Sequence, residues 1–340
     1  MEPIILNNLT NIYHTKDLSQ LSFLVTGGAG FIGSHLAEYL LINGAKEVRV
    51  LDNMSNGFES NLALLRQYPA FHFQHGDIRN LEDCMEACKG INYVSHQAAL
   101  GSVPRSIKVP FDTNDVNVGG FVNMMKAAVD NQVKQFVYAS SSSVYGDEPS
   151  LPKQEDRIGN CLSPYAVSKR ANELYGNVFA HVYGIPVIGF RYFNVFGPRQ
   201  DPDGEYAAVI PLFVKGIINN TPVYINGDGE QTRDFTFVEN AVQVNVRAML
   251  TEDPAAINKV YNVAVGENFT VNYLYNYVKQ HLGISHEVTF RDAREGDVRH
   301  SLANISLAKE LLKYEPSKKF EDGLKITIDF FKNKYQGSKP

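Results

Sequence analysis

Tyr165 and Lys169, in the run Tyr165-Ala-Val-Ser-Lys169, have the spacing that places two side chains on one face of a helix. An unperturbed phenol has a pKa of about 10 and is a poor base at neutral pH. A neighbouring ammonium favours the phenolate, so the pair is a candidate for proton transfer, with Tyr165 aimed at a substrate and Lys169 behind it. Such pairs also occur on solvated helices, and this one gains meaning from what converges on it. The run Phe136-Val-Tyr-Ala-Ser140-Ser141-Ser142-Ser143-Val144-Tyr145-Gly146 is an apolar strand that ends in hydroxyls. A serine there can donate to a substrate oxygen and relay its proton to Tyr165. Ser141 and Ser142 are the candidates; Ser140 reads as turn chemistry.

A second constellation lies near the start of the chain, in Thr26-Gly27-Gly28-Ala29-Gly30-Phe31-Ile32-Gly33. Gly28, Gly30 and Gly33 fit G-x-G-x-x-G, and Gly27, Gly30 and Gly33 fit G-x-x-G-x-x-G. Either pattern lets the backbone turn tightly against a pyrophosphate, at a helix N-terminus that offers free N–H groups and partial positive charge. An apolar strand precedes the loop and a helical pattern follows it. Asp52 ends the next strand, 19 residues beyond Gly33. A carboxylate there accepts from the ribose hydroxyls and repels a 2′-phosphate, which favours NAD over NADP. Asp77-Ile78 follows the third strand, where an adenine edge is within reach. Gln97-Ala98-Ala99 follows the fourth, where small residues let backbone lie against the cofactor. The positive charge of oxidised nicotinamide would add to the pull on Tyr165, and Lys169 can also hydrogen-bond the nicotinamide ribose.

The elements that must hold these groups are legible from periodicity. Apolar strand patterns at 22–26, 47–52, 70–75, 93–96, 135–140 and 186–192 alternate with helical patterns at 32–43, 58–67, 81–88, 111–131 and 163–183. Alternation with strands apolar on both faces predicts a doubly wound parallel α/β sheet, with ligands at its carboxyl edge. The second half is less regular. A turn-rich stretch near 191–203 is followed by a helix at 207–219, a strand at 223–225 and a polar loop. Then come a helix at 238–251, a strand at 259–264 that returns to the main sheet, and helices at 271–282, 305–312 and 320–332. We expect a Rossmann-type domain over 21–192, joined by 237–265. A smaller interleaved α/β substrate lobe takes 193–236 and 266–335, and 1–20 forms an arm or helix with no assigned chemistry.

Bulk properties exclude several alternatives. The chain has 340 residues, of which 44% are apolar and 20% charged, an ordinary globular balance. A formal net charge of −5 without Lys/Arg runs gives no nucleic-acid track. Three cysteines, Cys84, Cys88 and Cys161, suit neither a disulfide framework nor a zinc site. The first twenty residues lack the basic start and apolar core of a signal peptide, and no run of about 18 apolar residues could span a membrane. A cytoplasmic protein without metal is expected.

Taken together, these residues resemble the extended short-chain dehydrogenase/reductase superfamily. From about Leu21 to about Asn333 the chain looks like the UDP-hexose 4-epimerases, above all the bacterial UDP-N-acetylglucosamine 4-epimerases of surface-polysaccharide synthesis. The likeness is carried by Gln97-Ala-Ala-Leu-Gly-Ser-Val-Pro-Arg-Ser106, Leu162-Ser-Pro-Tyr-Ala-Val167, Arg191-Tyr-Phe-Asn-Val-Phe-Gly197, Tyr206-Ala-Ala-Val-Ile-Pro211, Tyr224-Ile-Asn-Gly-Asp-Gly-Glu230 and Arg294-Glu-Gly-Asp-Val-Arg-His-Ser301. It implies Tyr165 as base, Lys169 as its modulator, Ser141 and Ser142 as partners of the sugar O4, and Asn117 as support for the site. Phe31, Ile32, Asn53, Ser55, Gly57 and Tyr192 would be further contacts to NAD. Asn194, Arg233 and Arg294 would hold the diphosphate, a role that suits the guanidinium fork, with Asp297 on the uridine ribose. Gln200, Ala208, Val209, Tyr224 and Asn226 would complete the substrate site.

Two departures from the galactose epimerases bear on the sugar. Ser301 stands where those enzymes often carry a bulky tyrosine, and Gly101-Ser102 replaces a bulkier, lysine-bearing turn. Both leave room for a 2-acetamido group, so the implied reaction interconverts UDP-GlcNAc and UDP-GalNAc through a 4-keto sugar on tightly held NAD. UDP-Glc and UDP-Gal would also turn over. UDP-glucose and UDP-uronate 4-epimerases are the alternatives. A 4,6-dehydratase is disfavoured because Ser143, not a carboxylate, precedes Val144-Tyr145-Gly146. A scaffold with a vestigial cofactor fold would not keep the Tyr/Lys pair. The family also implies a homodimer through the helices at 111–131 and 163–183.

Overall fold

The computed structural model describes residues 11–203, 208–292 and 299–336. Strands and helices alternate through the first half: β1 (Ser22–Thr26), α1 (Phe31–Ile42), β2 (Glu47–Asp52), α2 (Glu59–Leu65), β3 (Phe71–His75), α3 (Leu81–Cys88) and β4 (Tyr93–His96). Next come α4 (Val103–Lys108), α5 (Pro110–Asn114), a π-helical turn at Asp115–Gly119, α6 (Gly120–Asp130), β5 (Gln135–Ser141), a 3-10 turn at Ser142–Tyr145, α7 (Pro164–Tyr183) and β6 (Val187–Tyr192). The remainder holds β7 (Val195–Phe196), α8 (Val209–Ile218), β8 (Val223–Asn226), β9 (Thr232–Arg233), β10 (Thr236–Phe237), α9 (Val238–Leu250) and β11 (Lys259–Val263). It ends with β12 (Phe269–Thr270), α10 (Val271–Leu282), β13 (Val288–Arg291), α11 (Ser306–Leu312) and α12 (Phe320–Gln336).

Seven strands form one sheet in the order β11-β6-β5-β4-β1-β2-β3, and every pairing in it is parallel. This is the doubly wound order, with the reversal between β1 and β4 that opens a crevice at the carboxyl edge. β11 returns to the sheet beside β6, as the sequence predicts. Burial explains the apolar strands: β1 is buried at all five positions, and so are all of β4 and β6. One core packs α1, α9 and α11 on the sheet, and another packs α3, α6 and α7. A third gathers Phe196, Phe213, Phe237 and Phe320 of the second half. There the two-stranded pairs β7–β10, β8–β13 and β9–β12 supply the remaining strands.

Local chemistry fixes the catalytic helix. Ser163 caps α7 by accepting from the Ala166 N–H at 3.1 Å, Pro164 suits its first turn, and Gly184 ends it at φ +72°. The stretch 111–131 is helical as its periodicity predicts, continuous from Pro110 to Asp130, and the π turn within it adds a residue to the helical circuit. That widening turns Asn117 inward, where it is buried. The arm is extended over residues 11–17 and contains no helix among its described residues. Tyr13 stacks on Tyr39 at 5.6 Å and donates its hydroxyl to Glu239, which ties the arm to α1 and α9.

Arg199, in the loop after β7, forms a buried ion pair with Glu38 of α1. The other Glu38 carboxylate oxygen, Oε1, has no partner among the described residues. Removing the cation leaves a charge sealed without compensation, which typically costs about 3–5 kcal/mol. Arg199→Met should lower the denaturant midpoint accordingly with an unchanged slope; a midpoint within error of the parent would refute this account of the pair.

Candidate active site

The carboxyl ends of β1, β2, β4 and β5 open into a cleft of about 480 Å³. Its floor depends on backbone approaching backbone. Gly27 has φ +68°, and a Cβ there would stand 2.8 Å from Cα of Ala98. A Cβ at Gly33 would stand 2.3 Å from the Gly27 carbonyl oxygen. Gly30 precedes α1 with no side-chain cap, so the first-turn N–H groups have no side-chain acceptor. Asp52 accepts from the Ala29 N–H at 3.0 Å and the Met54 N–H at 2.9 Å, one on each oxygen. Each oxygen keeps a further lone pair for a ligand hydroxyl. Uncapped helical amides beside a Cβ-free loop suit a pyrophosphate, and an anchored carboxylate suits a ribose diol. The residues present fit a dinucleotide.

Every residue expected to touch the cofactor borders this cleft except Asp77. Its carboxylate is taken by Arg79 at 2.7 Å and by the Asn53 amide at 2.8 Å. The Arg79 guanidinium holds that carboxyl well below the usual carboxylate range. Its neighbours Gly76 and Ile78 line the cleft.

Tyr165, Lys169, Ser141 and Gly101 also border the cleft. The Lys169 Nζ donates to the Ala139 carbonyl at 2.8 Å and stands 6.0 Å from the centre of the Tyr165 ring. Burial without a carboxylate pulls the lysine down to about 8. Burial raises the Tyr165 phenol, and a hydrogen bond from Ser141 pulls it back only in part. The expected phenolate rests on Lys169 together with the charge of oxidised nicotinamide, and burial of the phenol opposes both. The ammonium points at a backbone carbonyl, and desolvation of the phenol outweighs it.

The neighbouring positions divide. Ser141 faces Tyr165, whereas Ser142 is half-buried at the start of the 3-10 turn and does not border the cleft. Ser102 caps α4, accepting from the Arg105 N–H at 3.1 Å. Asn117 accepts from the Leu100 N–H at 2.8 Å and donates to the Ser168 hydroxyl at 3.1 Å. It thereby ties the loop beside the cleft to α7.

The substrate residues expected in the second half that fall among the described residues do not border the cleft. Asn194, at φ +35°, donates to the Asp234 carbonyl at 3.1 Å. Gln200 donates to the Val195 carbonyl at 3.2 Å, and Ala208 and Val209 begin α8. Tyr224 has the Arg291 guanidinium 3.1 Å above its ring centre, and the Asn226 carbonyl accepts from Gln231 at 2.8 Å. Arg233 donates to the carbonyls of Thr232 and Arg299, and the Ser301 N–H donates to the Thr232 carbonyl at 3.1 Å. Arg294 and Asp297 lie outside the described residues, as does the start of the 206–211 stretch.

Residues 23–264 match the model of the NAD dependent epimerase/dehydratase family. The chain belongs to this family. Its members' NAD dependence agrees with the cleft just described. A UDP-glucose 4-epimerase of Mycolicibacterium smegmatis is 37% identical, over 92% of this chain and 99% of that one. A UDP-glucuronate 4-epimerase of Thermodesulfobacterium geofontis is 33% identical, over 91% and 96%. Among solved structures, the UDP-N-acetylglucosamine 4-epimerase of Methanobrevibacter ruminantium M1, in complex with UDP-N-acetylmuramic acid, is 36% identical with a TM-score of 0.87. That likeness covers 93% of this chain and 99% of the other. The three relatives act on three sugars, so likeness alone leaves the hexose open.

Sequence reasoning missed Asn245 of α9. It donates to the Tyr192 hydroxyl at 2.6 Å and accepts from the Ser95 hydroxyl at 2.9 Å and the Gln97 amide at 3.0 Å. Two of its partners, Tyr192 and Gln97, line the cleft. One asparagine among the polar residues of α9, beside Glu239, Asn240, Gln243 and Arg247, carries no spacing signal.

Lys169 gives this site a pH signature. Its folded value of about 8 lies below the ordinary lysine value of 10.5. Between those limits the unfolded chain binds a proton that the folded chain lacks, so stability rises with pH through that window. Lys169→Met removes the increment. Relative to the variant, the parent should gain roughly 3 kcal/mol in stability between about pH 8 and pH 10.5. Denaturation curves of the two proteins that stay parallel across that range would sink the assignment.

Proposed function

We propose that this chain interconverts UDP-N-acetylglucosamine and UDP-N-acetylgalactosamine at C4, and turns over the plain hexoses as well. The observation that carries the epimerase reading is the convergence of Tyr165, Ser141 and Lys169 on a cleft whose other wall fits a dinucleotide. NAD-dependent UDP-sugar 4-epimerase activity is supported by the family and by the relatives. The N-acetyl preference rests on small residues: Ser301, and Gly101, where an added Cβ would meet nothing within 4 Å. A structural neighbour bearing that activity at 36% identity supports the same reading.

NAD, which Gly27, Gly30, Gly33 and Asp52 would hold, would supply a positive charge that favours phenolate and a hydride acceptor at C4 that is regenerated in each turnover. Tyr165 then takes the O4 proton, through Ser141 or directly, and gives it back on the other face. Lys169, fixed by the Ala139 carbonyl, keeps a cation behind the phenol. Arg233 and Arg294 grip the diphosphate, and Asp297 holds the uridine ribose. Recognition then comes from the nucleotide, which does not change as the sugar inverts, so both epimers bind through the same contacts.

The purified protein should convert UDP-GlcNAc without added NAD, and faster than UDP-Glc or UDP-GlcA. Tyr165→Phe should lose on the order of 10²-fold or more in turnover while retaining its NAD. Product from UDP-Glc or UDP-GlcA alone would remove the N-acetyl preference; near-parental turnover in Tyr165→Phe would remove the base.

We also infer a homodimer. Val167, Leu174, Val178 and Val182 are each more than half exposed along α7. The adjoining α4 and α5 add Ile107 at 63% and Phe111 at 87% exposure. The expected face thus moves from the body of 111–131, where Phe121, Met124 and Met125 are buried, to its start. A second copy covering this face removes it from water. The double variant Phe111→Asp/Val178→Asp should sediment at half the parental mass; a parent that sediments as a monomer would contradict the proposal.

A further inference from the structure

The last two register pairs of β5 and β6 do different work. Ser141 pairs with Tyr192, and both border the cleft; Ser140, which borders it too, pairs with Arg191 one step back, and Arg191 does not border it. The Ser140 hydroxyl donates to Glu173 Oε1 at 2.7 Å. Arg191 grips the same carboxylate with Nε at 2.9 Å and Nη2 at 3.0 Å, and Arg170 adds Nη1 at 2.8 Å. Glu173 therefore takes four charge-assisted hydrogen bonds while its side chain is only 2% exposed. It follows Tyr165 and Lys169 at successive four-residue steps, on the same face of α7. Arg191 is held in turn by the Glu155 carbonyl at 3.0 Å and lies 4.8 Å above the Tyr145 ring. Neither Glu173 nor Arg191 borders the catalytic cleft; both border a separate cavity of about 380 Å³.

A carboxylate that touches no substrate thus clamps the catalytic helix to the residues just before Ser141 and Tyr192. We infer that Glu173 is a positioning residue: acting through Ser140 and Arg191, it fixes the approach of Ser141 to the Tyr165 hydroxyl and so governs the rate of proton transfer rather than the binding of substrate. This rests on the reading of Tyr165 as base and Ser141 as its relay. Small displacements at a reacting hydrogen bond cost rate steeply, whereas the nucleotide contacts lie elsewhere and are left intact.

Ser140→Ala tests it with the smallest disturbance, because the Arg191–Glu173 pair survives. Measured on the purified protein with its own NAD, kcat should fall on the order of ten-fold, with KM and NAD content unchanged. Ser140→Thr, which keeps the hydroxyl, should restore most of the rate. Parental kcat in Ser140→Ala overturns the inference, and so does a fall in kcat accompanied by a comparable rise in KM or by loss of NAD, since that is the mark of a general structural role. Tyr165→Phe in the same assay separates the two claims. If it remains fast, the underlying reading has failed; if it is slow while Ser140→Ala is fast, only the positioning role has.

Discussion

One carboxylate shut away from water joins three elements that line the cleft. An ion pair buried this deeply loses hydration on both partners, and attraction alone does not repay the loss unless the remaining hydrogen-bonding capacity is met. Glu173 meets that condition with two forks of Arg191, one of Arg170 and the Ser140 hydroxyl. The opposing effects are visible in its ionisation. Burial pushes the carboxyl up, and the Arg191 contacts outweigh that and hold it below its ordinary value. A pair so satisfied is directional, since each donor fixes where its parent element sits. Three elements meet there, and each carries a residue of the cleft: Ser141 on β5, Tyr192 on β6, and Tyr165 with Lys169 on α7.

The same scarcity of water sets the chemistry of the pair that faces the ligand. Neither Tyr165 nor Lys169 has a buried countercharge of its own, so burial acts on them in opposite directions: the phenol is raised and the ammonium is lowered. A phenol held this way resists ionisation, and positive charge placed beside it would favour the phenolate. The lysine keeps its place because the Ala139 carbonyl accepts from it. Ala139 belongs to the strand that also delivers Ser141, so one backbone segment sets the position of the cation and of the relay.

How much of this was legible in the sequence divides along physical lines. The sheet was, because parallel strands buried on both faces read as apolar runs; β1, β2 and β4 fall at the residues expected. The dinucleotide loop was, because steric exclusion at Gly27 and Gly33 admits no other side chain. The helix over 111–131 was too, but the π turn within it was not, since it changes the winding by one residue without changing composition. Two-residue strands such as β9 and β12 are too short to show alternation. At Asp77 sequence shows a carboxylate but not that the arginine two residues on pairs with it. Glu173 had a signal, the four-residue steps from Tyr165 and Lys169. Nothing in the spacing distinguishes a buried clamp from a solvated charge, because the difference lies in Arg191, on another strand.

The second half shows why its site resists reading from sequence. Its positions are set mostly by backbone atoms, which every residue type supplies. Asp234 collects the N–H groups of Val265, Gly266 and Ala303 at 3.1–3.2 Å, while its own carbonyl accepts from Asn194. Thr232 offers its carbonyl to Arg233 and to the Ser301 N–H. Segments far apart in the chain are thus joined around two adjacent residues, Arg233 and Asp234, that no helical or strand periodicity marks. Such a lattice suits a surface that must hold an invariant nucleotide, because backbone donors and acceptors keep their geometry when the side chains around them change. Ser301, on which the proposed N-acetyl preference rests, joins this lattice through its backbone N–H, so the size of its side chain can differ without disturbing that contact.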